Sequence, residues 1–449
     1  MREQSFFYPL ARLFFGICSR AKRHRTFLLV GLLGTALMGC SAESPKEVAL
    51  ESSGDGALGE IEFSEHLIMD QYAYPFGIWA GDLDRDGDLD LTSADALPNN
   101  NLYWFENDGR GNFTRHFIQK NDPERLERHM VGDVNSDLLP DVVIVKNLHG
   151  DLLWFENNGD PAEGLWKRHV IIEGKLPGAY DVALSDLDAD GDLDVAASSW
   201  RLGNQFAWFE NPGKLCHGGG GPTRRCYEEG HPQWQKHLIE ADLKETRTIR
   251  AADFDGDGDA DLLGTAVGEG LVVWYENSGK PASEAWRRHD IDRYPHPIHG
   301  EPTDLDGDGD MDVVMALGMR NPEGQEVANQ IVWYEHNGDP RDVPWKKYVI
   351  AQHFENAFEV VAGDLDGDGQ MEVVATGWGE PGKVAWFRHG GDPRGGWNQH
   401  TLKDNWSRAN QVLVADLDGD RDLDIAAIAE RGTLEFRWWR NESSGDSPD

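Results

Sequence analysis

The run Asp304-Leu305-Asp306-Gly307-Asp308-Gly309-Asp310-Met311-Asp312 decides how this 449-residue chain is read. Six more versions of it recur at intervals of about fifty to sixty-five residues, the spacing of propeller blades. Carboxylates at positions 1, 3 and 5, a Gly at 6 and a final carboxylate at 9 gather oxygen ligands around one point, as a hard cation such as Ca²⁺ requires. A helix–loop–helix reading would need flanking amphipathic helices and a bidentate Glu at position 12. Here that position falls in the apolar run Val313-Val314-Met315-Ala316, which reads as strand. Metal-free acidic turns are the plain alternative, since Asp and Gly favour turns anyway. Turn chemistry, however, does not demand a carboxylate at four fixed offsets.

The copies differ. Four are complete and offer Asp82, Asp84, Asp86 and Asp90; Asp186, Asp188, Asp190 and Asp194; Asp253, Asp255, Asp257 and Asp261; and Asp304, Asp306, Asp308 and Asp312. The sixth offers Asp364, Asp366, Asp368 and Glu372, whose last member can still ligate. The seventh offers Asp416, Asp418, Asp420 and Asp424 but has Arg421 at the Gly position, which strains its turn. The second, from Asp133 through Asn135 and Asp137 to Asp141, lacks the Gly and is expected to be empty or weak. The expected cofactor is therefore calcium, one ion per intact loop.

Between the acidic loops each unit reads as four short strands. The third carries a signature: Trp104-Phe105-Glu106-Asn107, Trp154-Phe155-Glu156-Asn157, Trp208-Phe209-Glu210-Asn211, Trp274-Tyr275-Glu276-Asn277, Trp333-Tyr334-Glu335-His336, Trp386-Phe387-Arg388-His389 and Trp438-Trp439-Arg440-Asn441. The fourth ends on His116, His169, His237, His289, Tyr348 or His400. These Trp and His residues recur at one offset in nearly every unit, so they are expected to pack blades together, binding sites being built from what differs between units. The last unit stops after its third strand, and Phe63-Ser64-Glu65-His66-Leu67-Ile68 carries the fourth-strand pattern. An all-β, seven-bladed propeller follows, spanning residues 61–441, its N-terminal strand completing the last blade and removing an open edge.

The acidic loops, the Gly81-Asp82, Gly132-Asp133 and Gly363-Asp364 pairs and the Trp-Phe-Glu-Asn strands resemble the FG-GAP/VCBS repeat family. The resemblance covers the chain from residue 61 to 441 and implies a calcium-stabilised propeller of the kind found in integrin α-subunit heads and some fungal lectins. It implies no single function, because similar propellers serve as adhesion modules, sugar binders, carbohydrate lyases and aldos-2-ulose dehydratases.

Ahead of the repeats, a basic region with Arg20, Lys22, Arg23 and Arg25 precedes the apolar run Phe27–Met38, too short to span a membrane stably and read as an export signal over residues 1–39. Leu37-Met38-Gly39-Cys40 resembles the bacterial lipobox, which implies a lipid on Cys40 and an anchor at the cell envelope. Residues 40–60 read as a polar tether and 442–449 as a disordered tail. The full chain carries a net charge of −38; residues 1–39 hold six basic residues and one Glu, so the remainder stands at about −43. Such acidity argues against nucleic acid and against an anionic membrane surface as partner. Cys216 and Cys226 share one loop and are expected to form a local disulfide, with a metal role beside His217 and His231 as the alternative. A monomer is expected.

A site is sought where the units diverge. One residue before the first Asp of each loop stand small residues, as a narrow axial channel needs. Strand alternation then aims the residues three and five before it at the axis. Five before stand Gly77, Arg128, Asp181, Thr248, His299, Glu359 and Gln411; three before come Arg250 and Glu301 among apolar neighbours. His299 or Glu359 would serve as general base, with Arg128, Asp181, Arg250 and Glu301 binding a ligand. Trp200, Trp378 and Trp406, with Arg201, Arg320 and Arg408, stand in loops of the same face and would suit a sugar ring. A solvated ion-pair cluster filling the channel is the competing reading. The expected function is binding of a carbohydrate or another extracytoplasmic ligand at the axial face. The alternatives are a carbohydrate lyase or dehydratase with an axial base, and a protein-interaction scaffold.

Overall fold

The computed structural model describes residues 61–443 apart from 73, 96–97, 214–232, 319–328 and 337. The export signal, the tether, Cys40, the Cys216–Cys226 pair with His217 and His231, Arg320 and the tail from residue 444 lie outside the described residues.

Seven four-stranded antiparallel sheets form the blades of one ring. Their first strands are Pro75–Gly81, Leu126–Gly132, Ala179–Ser185, Thr246–Ala252, Pro297–Thr303, Ala357–Gly363 and Ala409–Ala415, and each touches the first strands of the blades on either side. Every second strand is buried throughout, as expected of a strand covered on both faces by neighbouring blades. The apolar core therefore divides into clusters lying between adjacent blades, such as Val314, Trp333, Val360 and Phe387 between blades five and six.

Phe63–Met69 pairs antiparallel with Glu435–Asn441, starting at Phe63 opposite Asn441, and so forms the outer strand of blade seven. The sequence-based closure is thus what the ring uses. The recurring Trp and His residues meet within blades: Trp154 stacks on His169 at 4.0 Å and Trp386 on His400 at 4.0 Å, and blade five does the same with Trp333 and Tyr348 at 4.9 Å. The histidine then reaches the signature glutamate, as in His116–Glu106 at 2.7 Å and His289–Glu276 at 2.7 Å.

Candidate functional site

All seven first strands carry an irregularity that simple alternation does not foresee. Their register against the second strand shifts between the seventh or sixth and the fifth or fourth residue before the first loop Asp. The residue five before the Asp sits at this bulge, where a side chain is re-aimed and a ladder partner lost. Second-strand hydroxyls take the place of that partner: Asp181 N–H donates to Ser198 Oγ at 3.1 Å, Thr248 N–H to Thr265 Oγ1 at 3.1 Å and Glu359 N–H to Thr376 Oγ1 at 3.2 Å. In blade one Ser93 Oγ donates to the Gly77 carbonyl at 2.8 Å. Gly77 has φ +84, and a Cβ there would stand 2.6 Å from His129 Nδ1, so no larger residue fits.

The re-aimed side chains make a buried polar layer across the axis. Arg128 of blade two forks onto Glu359 of blade six, with Nη1 donating to Oε1 at 3.3 Å and Nη2 to Oε2, and lies 3.8 Å from Asp181 of blade three. Arg250 of blade four donates to Asp181 Oδ2 at 2.7 Å and stands 3.6 Å from Glu359. Burial works against the Arg128 charge, but Glu359 and Asp181 more than offset it and raise its pKa above the ordinary arginine value. His299 of blade five is fully buried: Nδ1 meets Thr248 Oγ1 at 3.0 Å and Nε2 meets Tyr180 Oη at 3.1 Å. Burial, reinforced by Arg128, Arg247 and Arg250, holds His299 well below the usual histidine range. Gln411 of blade seven accepts from Ile78 N–H of blade one at 3.1 Å and completes the layer.

On the side where the first strands end in acidic loops, the axis is more open. Three before the first Asp, Trp79, Met130, Arg250, Glu301, Val361 and Leu413 are half-buried and only Ala183 of blade three is buried, whereas the five-before layer is buried throughout. Burial first, then Glu359, pushes Glu301 up to about 7 against the pull of Arg250.

On the opposite side, where the first strands begin, aromatic rings close the axis. Tyr74, Phe76 and Tyr180 cluster with Trp200, and Ile298 and Phe358 with Val267 and Trp378. Guanidinium groups cover their faces. Arg125 lies 4.8 Å from the Tyr74 ring, Arg201 4.1 Å from Trp200 and Arg408 5.0 Å from Trp378; Arg431 stands between Tyr74 at 4.8 Å and Trp378 at 5.6 Å. Arg247 lies 4.9 Å from Tyr180 and 4.8 Å from Trp200, and its Nη1 donates to Tyr180 Oη at 2.9 Å. Four of these arginines also have a carboxylate: Arg125 with Glu127, Arg201 with Glu245, Arg408 with Glu380 and Arg431 with Glu430. Arg247, 5% exposed, forms no ion pair among the described residues.

Of the expected site residues, Arg128, Asp181, Arg250 and Glu359 therefore converge, Glu301 lies toward the acidic loops, and His299, Trp200 and Trp378 lie on the aromatic side. Trp406 stands apart. It is fully buried in the core of blades six and seven, edge-on to Trp439 at 5.7 Å, with its indole N–H on Glu435 at 2.9 Å. Tyr74, Phe76, Tyr180 and Arg247 escaped the sequence reading because three of them stand six, not five, residues before the Asp, on the far side of the bulge.

The acidic loops at the other end of the strands bring ligand atoms together as the spacing foretold. Oxygens of Asp82, Asp84 and Asp86 lie within 4.8 Å of one another, as do those of Asp186, Asp188 and Asp194, of Asp253, Asp255 and Asp261, and of Asp304, Asp306 and Asp308. Asp82 Oδ1 is buried with no hydrogen-bond partner, which suits a cation. A divalent ion there would cross-link the loop by neutralising its carboxylates. The position-9 carboxylate fixes the loop itself: Asp90 accepts from Leu83 N–H at 2.9 Å and Asn107 N–H at 2.8 Å, and Asp424 accepts in the same way from Leu417 and Asn441. Where glycine is missing at position 6, Leu138 and Arg421 adopt φ 77 and φ 79, the left-handed backbone that glycine takes in the other loops.

The FG-GAP-like repeat profile matches residues 133–197, 253–315 and 304–375. Among solved structures, a lectin from Agrocybe aegerita described as recognising non-reducing terminal N-acetylglucosamine is similar at 16% identity and TM-score 0.48, over 75% of this chain and 81% of that chain. A catalytically inactive virginiamycin B lyase from Staphylococcus aureus with quinupristin is similar at 14% identity and TM-score 0.52, over 85% of this chain and 99% of that one. BBS1N in complex with ARL6DN aligns at 8% identity and TM-score 0.54, over 86% of this chain and 99% of that one. For these last two the likeness is one of fold. No curated protein matches the sequence.

Proposed function

The chain carries FG-GAP-like repeats within a closed seven-bladed propeller, and from that premise we propose that it is an exported, lipid-anchored, calcium-stabilised binding protein for an acidic carbohydrate or a similar polyhydroxylated anion. The ligand would bind on the axial side where the first strands begin. Arg247 carries this reading: a buried guanidinium with no carboxylate partner among the described residues, held between the faces of Tyr180 and Trp200. Glu127 acts on Arg247 through space only; a buried cation with no carboxylate in contact is costly, and an anion from outside would offset that cost. The whole chain has a net charge of −38, and four of the five arginines over these aromatic faces are each matched by a glutamate, so Arg247 is the one whose charge is left for an anion on this side among the described residues. Flat rings beside planar guanidinium groups suit a sugar acid, whose ring stacks while its carboxylate takes a forked hydrogen bond.

The test is calorimetric titration with uronic-acid oligosaccharides and their neutral counterparts, with Arg247→Ala alongside. Acidic ligands should bind at least about tenfold tighter than neutral ones, and Arg247→Ala should abolish the difference. Equal binding of both kinds, or an unchanged variant, would sink the reading.

A second reading, a lyase or dehydratase, draws support from Glu301. Glu359 is held by two arginines and His299 by Tyr180 and Thr248, which leaves Glu301, pushed up to about 7 beside Arg250, as the one of the expected site residues able to take a proton near neutral pH. Growth of ultraviolet absorbance from a conjugated elimination product, lost in Glu301→Gln, would replace the binding reading with the enzymatic one.

A further inference from the structure

In four consecutive blades an arginine reaches the carboxylate at position 3 of the acidic loop, and it does so by two separate routes. Blades six and seven replace the signature glutamate of the third strand with Arg388 and Arg440. Arg388 then pairs with Asp366 of its own loop and lies 3.3 Å from Asp368 and 3.5 Å from Glu372. Arg440 lies 2.6 Å from Asp418 and 3.8 Å from Asp420. Blades four and five keep the glutamate, and there the guanidinium arrives from the following blade. Arg341 of blade five pairs with Asp255 and lies 2.8 Å from Glu276; Arg394 of blade six pairs with Asp306 and donates through Nε to Glu335 at 2.7 Å. Both come from one local motif, Asp339-Pro340-Arg341 and Asp392-Pro393-Arg394, whose proline carbonyl accepts the indole N–H of Trp345 or Trp397 at 2.9 Å and so fixes the arginine's starting point.

Blade one differs. Its loop is complete and its signature residue is Glu106, engaged by His116, but the corresponding turn of blade two reads Asp160-Pro161-Ala162, with alanine at the arginine position. Among the described residues no lysine or arginine forms an ion pair with Asp82, Asp84 or Asp86.

We infer that Arg341, Arg394, Arg388 and Arg440 are built-in counter-cations, which let the acidic loops of blades four to seven keep their shape without a metal, whereas the blade-one loop depends on a bound divalent cation. Packed carboxylates repel one another until a positive charge stands among them, and a guanidinium fixed by the fold supplies that charge at no ligand concentration. The same arrangement makes Arg341 and Arg394 ties between blades, so that neutralising a loop and docking the next blade become one event. This inference goes beyond the binding reading and does not rest on it.

The experiment is hydrogen exchange read by mass spectrometry on the full chain, in excess calcium and after chelation. Chelation should speed exchange in the peptide spanning 82–90 by more than about tenfold, while those spanning 253–261 and 304–312 change by less than about threefold. Arg341→Met should make 253–261 as chelator-sensitive as 82–90 and leave 304–312 as it was; Arg341→Lys, which keeps the charge, should stay close to the wild type. Loss of protection to the same extent in all these loops of the wild type, or no response of 82–90 to chelation, overturns the inference without recourse to a variant. So does an Arg341→Met chain whose 253–261 segment stays insensitive to chelation.

Discussion

His66 lies stacked on Trp438 at 5.0 Å with 27° between the rings, and this pair joins the first strand of the propeller to the last. It is the seventh instance of the contact that the other six blades make within one continuous stretch of chain, so the N-terminal strand is docked by the same chemistry that builds every blade. Substituting His66→Ala should remove about 1 kcal/mol of stacking. Deleting residues 61–69 should do far more, because it bares the backbone of Glu435–Asn441 as a free edge. Denaturant unfolding and light scattering would check both; a monodisperse, equally stable deletion variant would mean that the strand does not lock the ring.

The Arg128–Glu359 fork should behave as a buried ion pair. Removing one partner in Arg128→Met leaves Glu359 and Asp181 to share Arg250 alone, at a cost of roughly 3–5 kcal/mol. The double change Arg128→Met with Glu359→Gln leaves Asp181 and Arg250 as a neutral pair and should cost less than the single one. A double variant as unstable as the sum of its singles would show that the two side chains are not coupled.

Acid should find His129. It is buried against Gly77 and Thr92, and burial first, with Arg128 adding to it, lowers its pKa from the ordinary 6.5 to about 4. Between those values the unfolded chain binds a proton that the folded one refuses. The contribution is therefore whole above pH 6.5 and is lost as the pH falls toward 4, to an extent of roughly 3 kcal/mol. Measured in excess calcium, the unfolding free energy of the wild type should drop more steeply over that window than that of His129→Asn. Parallel curves would remove His129 from the acid response.

Calcium removal gives the broadest reading. If the complete loops hold ions, chelation should lower the melting temperature by several degrees, since a site at a thousandfold excess over its Kd adds about 4 kcal/mol. Metal analysis of the dialysed protein should find ions bound. An unchanged melting temperature together with no bound calcium would leave the loops as turns.

What could be read from the sequence was whatever repeats. Four fixed carboxylate offsets, the Trp-Phe-Glu-Asn strands and the orphan fourth strand at Phe63 were enough for blade number, closure and the places where the loops gather oxygens. The axial layer was legible as a set of residues but not as a set of contacts. Arg128, Asp181, Arg250 and Glu359 satisfy one another, and nothing in a sequence says which charges pair across a ring. Alternation also missed Phe76, Tyr180 and Arg247, because each first strand carries one extra residue. A trace of that bulge does stand in the sequence: Ser93, Ser198, Thr265 and Thr376, hydroxyls in the buried second strands, meet the backbone groups that the bulge leaves over. By position alone Trp406 is a loop residue, and its neighbours in space make it core.

The strand that closes the ring also imposes an order of events. Ser64 is translated 378 residues before Glu442, to which its hydroxyl donates at 2.5 Å. Six blades can zip up from neighbouring residues as they emerge from the ribosome, but the seventh has to wait for the whole chain. The outer strand of blade seven, although made first, is then the last to find its place, and until it does the ring stays open to whatever chaperones or proteases stand nearby.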